Sequence, residues 1–239
     1  MKVLVIIPAY NEEESIEKVV RNLEEQREKI DYTLDYVIIN DCSKDNTEKI
    51  CREQKLNYVN LPINLGIGGG VQTGYRYAVE NDYDIAIQMD GDGQHDPAYL
   101  NALIQPIAEG KVDMVIGSRY LQKEGFQSTG ARRAGIKILS FLIKLLSRKE
   151  VKDTTSGFRA TNRKLTQYFA DNYAQDYPEP EAIITSVLNG FDVTEVSVQM
   201  RERQGGESSI RAFKSIYYMV KVSLAIIICR LGCLRRKKS

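Results

Sequence analysis

Short apolar runs separated by amphipathic stretches organise the first half of the chain. Residues 3–7 and 36–40 are such runs, bounded by turn formers, as strands buried on both faces of a parallel sheet should be. Between them, Asn11 can cap a helix whose Ile16, Val19, Val20 and Leu23 fall on one face. Asp45 and Asn46 open a second helix running to about Lys55, and residues 57–61 read as a third strand. A glycine-rich turn at 66–70 leads into a helix over 73–81. Residues 84–89 and 113–117 are further strands. This alternation predicts an α/β chain with a doubly wound, mostly parallel sheet, whose ligands sit at the carboxyl ends of its strands.

The second half is less regular. Over residues 131–148 the pattern places Ile138, Leu139, Leu142, Leu145 and Leu146 on one face and Arg133, Lys137, Lys144 and Arg148 on another. A core helix and a helix lying on an anionic bilayer both read this way, and the pattern leaves the two open. The stretch from about Arg211 to Leu234 is also helical and apolar. Its charge-free run at 222–229 is far shorter than the roughly 20 residues a spanning helix needs, so it is not expected to cross a membrane. Arg235, Arg236, Lys237 and Lys238 then form either a solvated tail or a contact with a membrane surface.

Composition narrows the picture further. The 239 residues are 43% hydrophobic and 27% charged, enough apolar material for a sizeable core. A net charge of +1, with no Trp, gives no footprint for nucleic acid. The first apolar run is too short for a secretory signal core, and Cys42, Cys51, Cys229 and Cys233 form no CxxC pair. A cytoplasmic protein with reduced thiols is expected. The single His excludes a His-rich metal site.

Three constellations carry chemistry. Asp90 and Asp92, with Gln94, follow directly on the apolar strand at 84–89. Two carboxylates at i and i+2 in such a turn can converge on one hard cation, Mg²⁺ or Mn²⁺, that shares its other positions with diphosphate oxygens. The alternative is Asp-Gly turn chemistry alone. Pro8 to Glu12 and Asn40 to Ser43 each follow a strand and would line the same sheet edge. There Asp41 can accept from a ribose hydroxyl or a base N–H, or Asn11 and Asp41 can serve only as caps and turn formers. Arg119, Arg132, Arg133, Arg159 and Arg203 are candidate phosphate ligands because guanidinium forks match phosphate oxygens. Gly205 and Gly206 beside Arg203 suggest a loop able to close on a diphosphate.

These segments together resemble the family 2 glycosyltransferases of the GT-A fold, in the branch of polyprenyl- and dolichyl-phosphate sugar synthases. The resemblance is carried by IIPAYNEEE, IINDCSKDNT, NLGIGGGVQTGYRYA, MDGDGQHDP, IGSRY, DTTSGFRA and RERQGGESS, in that order over residues 3–209. It implies a GT-A domain over 1–209; the C-terminal apolar, basic helix and tail over 210–239 is expected, from its own pattern, to associate peripherally with a membrane. Pro8, Ala9, Tyr10, Glu12 and Asp41 would hold the nucleotide of a nucleotide-sugar donor. Asp90, Asp92 and Gln94 would bind Mg²⁺ or Mn²⁺ and, through it, the diphosphate. Arg119, Arg133 and Arg203 would contact phosphates, and Asp153 or Glu181 would face the acceptor as a base.

The implied reaction is inverting transfer to a polyprenyl phosphate or lipid-linked glycan at the inner face of the membrane. Transfer to a sugar hydroxyl of a cell-surface polysaccharide is the alternative. Ser209 stands where many relatives carry Lys, which removes one phosphate contact, and no spanning helix is expected to follow, which bears on the lipid acceptor. A nucleotide-cofactor oxidoreductase fits poorly, because the third glycine its loop requires falls on Val71 or Thr73. A catalytically silent nucleotide-sugar-binding protein would have no need of both Asp90 and Asp92. The oligomeric state is left open, a homo-oligomer included.

Overall fold

The computed structural model describes residues 1–122, 130–201 and 212–236. The elements run β1 (Lys2–Ala9), α1 (Ile16–Arg27), β2 (Thr33–Asn40), α2 (Thr47–Glu53), β3 (Tyr58–Asn60), α3 (Gly66–Glu80), β4 (Ile85–Gln88), α4 (Leu100–Ala108), β5 (Met114–Ser118), α5 (Gly130–Ser147), β6 (Arg159–Asn162), α6 (Arg163–Asp171), α7 (Pro178–Leu188), β7 (Val193–Ser197) and α8 (Ala212–Arg236). The strands form one sheet in the order β3-β2-β1-β4-β6-β5-β7. All run parallel except β6, which is antiparallel to both its neighbours.

The apolar runs form strands because both sheet faces are covered. Along β1, Val3, Val5, Ile7 and Ala9 enter one core layer with α1 and α4, while Leu4 and Ile6 enter the other with α3, α6 and α7. In β4, Ile85 and Ile87 join the first layer and Ala86 the second. The site-bearing edge is thereby anchored from both sides.

Three expectations about local structure are corrected. Asn11 does not cap α1, which starts at Ile16 with Ser15 before it. Asn11 instead takes a left-handed φ of 58°, which Asn tolerates. Its Oδ1 accepts the Lys44 N–H at 2.8 Å and its own N–H donates to Ser43 Oγ at 3.0 Å, joining the loops after β1 and β2. The glycines at 66–70 lie inside α3 rather than in a turn before it. They allow close approach: a Cβ on Gly68 would lie 2.3 Å from the carbonyl oxygens of Ala174 and Gln175, and one on Gly74 would lie 2.1 Å from Ile6 Cγ2.

The third correction concerns α5. Ile136, Leu139 and Ile143 are buried; Leu139 and Ile143 share a core cluster with Val222 and Ile226 of α8, and Leu142 and Leu146 of the expected face pack against it. Ile138, Phe141 and Leu145 form a separate, exposed stripe, with Phe141 67% exposed. An exposed stripe of Val220, Leu224, Ile227, Ile228 and Leu231 runs along α8. Among the described residues no helix is long and apolar enough to cross a membrane.

Replacing Gly74 with Ala tests the close packing of α3 on β1. The added methyl must displace Ile6, and stability is expected to fall by about 2 kcal/mol. Thermal unfolding should then show Tm lowered by roughly 4–8 °C. An unchanged Tm would mean that α3 does not approach the sheet this closely.

Candidate active site

The carboxyl ends of β1, β2 and β4 meet through backbone hydrogen bonds. Asp41 N–H donates to the Ala9 carbonyl at 2.9 Å, and Gly91 N–H donates to the Pro8 carbonyl at 3.3 Å. Pro8, Ala9, Asp41 and the turn after β4 therefore share one edge, with Tyr10 exposed beside them. Glu12 stands against the same turn. Its carboxylate accepts from Ser15 Oγ at 2.8 Å, and that hydroxyl also lies 2.8 Å from the Gly91 carbonyl. Asp41 is buried, and its two carboxylate oxygens accept the N–H groups of Leu65 at 2.7 Å and Gly66 at 2.8 Å. In this arrangement its negative charge caps the start of α3, where the helix dipole favours it.

The turn after β4 presents the two acidic residues. Asp90 Oδ1 accepts from Gln88 Nε2 at 3.3 Å, and the Asp90 side chain keeps 34% of its surface open. Gly157 backs this carboxylate so closely that a Cβ there would lie 3.0 and 3.1 Å from its oxygens. Asp92 is nearly buried, and its Oδ1 accepts the Gln94 N–H at 3.0 Å. Gln94, expected as a third ligand, directs its amide nitrogen to the Arg201 carbonyl at 3.4 Å, while Arg201 N–H returns to the Gln94 carbonyl at 2.9 Å. With the Arg201–Asp96 ion pair at 2.7 Å, this ties Arg201 to the acidic turn.

Arg119 and Asp153, expected to act separately on phosphate and acceptor, are brought together. Arg119 Nε donates to Asp153 Oδ2 and Nη2 to Oδ1, both at 2.7 Å, and Nη2 also donates to Thr155 Oγ1 at 3.0 Å. Burial opposes the charge on Arg119, but the hydrogen bonds and charge of Asp153, with Asp90 further off, hold its pKa above the ordinary arginine value. Asp153 is fully buried with both oxygens engaged, an arrangement suited to aiming a guanidinium rather than taking an acceptor proton. Glu195 of β7 steadies it, accepting the N–H groups of Lys152 and Asp153 at 2.8 Å each.

The other expected residues are dispersed. Arg159 is fully buried in β6 and donates to the backbone carbonyls of Glu179 and Ser156, so it is no phosphate ligand in this arrangement. Arg133 stands exposed in the first turn of α5. Arg203 lies outside the described residues. Glu181 sits in the first turn of α7, its pKa raised by partial burial and by the nearby Asp176 charge, against the opposing charge of Lys221. Sequence reasoning missed Gln88, Thr155, Gly157 and Glu195. Gly157 and Thr155 lay within the DTTSGFRA segment, whereas nothing in the pattern marked Gln88 or Glu195.

The donor chemistry fits a hard divalent ion. Asp90 and Asp92 offer oxygens, and no cluster of three His, Cys, Asp or Glu able to hold a metal occurs among the described residues. The protein side would supply few ligands and leave positions for diphosphate and water, as Mg²⁺ and Mn²⁺ prefer.

The family model "Glycosyl transferase family 2" matches residues 4–169, which includes every element of this edge. The chain belongs to that family. This glycosyltransferase is 33% identical over 217 residues to the UDP-N-acetylglucosamine–dolichyl-phosphate N-acetylglucosaminyltransferase of Methanococcus voltae, covering 82% of this chain and 84% of the relative. It is 26% identical to the polyprenol monophosphomannose synthase of Mycolicibacterium smegmatis, covering 93% of this chain and 86% of the relative. Among solved structures, glucosyl-3-phosphoglycerate synthase of Mycobacterium tuberculosis, in complex with Mn²⁺, UDP and its product, superposes with a TM-score of 0.71 at 20% identity. That match covers 97% of the transferase and 80% of the neighbour, and it supports the GT-A architecture.

The Arg119–Asp153 pair carries a stability prediction. In Asp153→Asn the buried guanidinium keeps a partner of the same shape but loses the opposing charge. Urea unfolding should show a loss of about 3 kcal/mol. A loss comparable to a surface pair, below about 1 kcal/mol, would mean that the pair is solvated in the protein.

Proposed function

We propose that this glycosyltransferase moves a sugar, with inversion, from a nucleoside-diphosphate donor to a polyprenyl phosphate or lipid-linked glycan at the cytoplasmic face of a membrane. The observation that carries the donor half is the pair Asp90 and Asp92 at the carboxyl edge of β4, beside the ends of β1 and β2. Bound there, Mg²⁺ or Mn²⁺ would neutralise charge on the departing diphosphate. Pro8, Ala9, Tyr10 and Glu12 line the nucleotide side. Arg119, aimed by Asp153, offers a fixed positive charge near Asp90 for donor or acceptor phosphate. Arg133, at the start of α5, and Arg203 are proposed as further phosphate contacts. Direct displacement from the face opposite the leaving group inverts the anomeric centre.

The acceptor half is supported by the exposed stripes of α5 and α8 and by exposed Arg133, Lys137 and Lys144 on α5, the last ion-paired with Glu150. Apolar rows rimmed by basic side chains suit the surface of an anionic bilayer, each Lys or Arg adding about 1 kcal/mol near it. The 210–239 segment is on this reading the membrane-facing part of the chain. A phosphate acceptor is already anionic and needs no base. The half-buried Glu181, with its raised pKa, favours a second reading in which a sugar hydroxyl attacks and Glu181 takes its proton.

One assay addresses both readings. UDP-, GDP- and dTDP-sugars are offered with Mn²⁺ to polyprenyl phosphate in anionic vesicles and, in parallel, to soluble glycans. Transfer to lipid is expected, lost in Phe141→Glu/Ile228→Glu together with vesicle binding, and kept within a few-fold in Glu181→Gln. Transfer only to soluble glycans, abolished in Glu181→Gln, would replace the lipid acceptor by a hydroxyl one. Vesicle binding unchanged in the double variant would sink the membrane surface.

A further inference from the structure

The chain's single histidine lies in the acidic turn, and the reading above assigns it no task. His95 is only 6% exposed, and its ring stacks on Phe158 with centroids 4.8 Å and planes 11° apart. Its Nδ1 accepts the backbone N–H of Asp90 at 2.9 Å. A nitrogen that accepts carries no proton, so the ring hydrogen belongs on Nε2. Nε2 lies 3.8 Å from Asp90 Oδ2, beyond hydrogen-bond distance, so one ring accepts from the backbone of Asp90 and flanks its carboxylate.

The rest of the Asp90 carboxylate is confined in a matching way. Gln88 Nε2 meets Oδ1 at 3.3 Å. Gln88 is fully buried, and its amide oxygen accepts from the Tyr173 hydroxyl at 3.3 Å, which fixes which end of the amide faces Asp90. Gly157 closes the third side. Of these contacts only His95 also holds the backbone of the turn, and the turn sets where Asp92 stands relative to Asp90.

We propose that His95 is the positioning residue of the acidic turn: it locks the Asp90 backbone and aims its carboxylate, so that a divalent cation meets Asp90 and Asp92 already placed. This rests on Asp90 being a metal ligand. The competing role is aromatic filling against Phe158, and the two predict different behaviour for substitutions at this position. His95→Phe keeps a stacking ring and removes the acceptor. His95→Asn loses the ring but puts Oδ1 where Nδ1 stood.

The test is Mn²⁺ binding to the enzyme without donor, read from the electron paramagnetic resonance signal of free Mn²⁺, with circular dichroism verifying the fold. His95→Phe is expected to bind Mn²⁺ at least tenfold more weakly, as loss of a ligand-orienting partner does. His95→Asn should stay within about threefold of wild type, and turnover of the Phe variant at limiting Mn²⁺ should recover as Mn²⁺ is raised. Wild-type affinity in His95→Phe, with binding lost in Asp90→Ala, would reduce His95 to packing and overturn the proposal. Unchanged affinity in Asp90→Ala, or no Mn²⁺ binding by wild type, would instead remove the metal-ligand reading on which it rests. Should His95→Phe not fold, His95→Ala and His95→Asn decide: weaker binding in Ala alone supports the role, and equal affinities overturn it.

Discussion

Two carboxylates placed two residues apart at the end of a strand buried on both faces have little room to relax. The Ile85 and Ile87 side chains fix β4 in one core layer and Ala86 in the other. The Gly91 N–H then ties the turn to the Pro8 carbonyl of β1. Both carboxylates lie at the one edge where a divalent cation would hold the diphosphate of the proposed donor. The remaining site residues are arranged around that demand. Arg119 brings a positive charge near Asp90 but is itself held by Asp153, so it stays where phosphate is to be met rather than collapsing onto the acidic turn.

The parts of the fold that were legible in the sequence are those where one physical signal dominates. β1, the carboxyl half of β2 and β4 read as strands because both faces are covered and the residues are mostly apolar. The acidic turn was legible because Asp90 and Asp92 follow such a run immediately. β6 was not, since it consists of Arg159, Ala160, Thr161 and Asn162. A strand of that composition survives burial only because the Arg159 guanidinium finds the Glu179 and Ser156 carbonyls and Thr161 Oγ1 finds the Ala86 carbonyl and Thr166. Those partners are distant in the chain or side-chain specific, so no local pattern announces them.

The same limit explains the misread glycines and the misread helix face. Gly68 looks like a turn residue locally, yet its small size serves a contact with residues 174–175, as that of Gly74, within the expected helix, serves one with Ile6. In α5, apolar side chains cover more than one face, so periodicity alone could not say which stripe meets α8. The packing of Ile136, Leu139 and Ile143 inward leaves Ile138, Phe141 and Leu145 outward. Asp153 was recognised as a site residue, but only tertiary structure pairs it with Arg119, a partner 34 residues away. Motif order thus identified the family, while the division of labour within the site required the geometry.

The central claim is that the acidic turn holds the donor's diphosphate through a divalent cation. Titration calorimetry of UDP and GDP against wild type and Asp92→Ala, each with Mn²⁺ and with chelator, tests it most directly. Binding of one nucleotide that needs Mn²⁺, and that weakens at least tenfold in Asp92→Ala, is the predicted result. Equal affinity with chelator, or an Asp92→Ala protein that binds as wild type does with Mn²⁺, would contradict it.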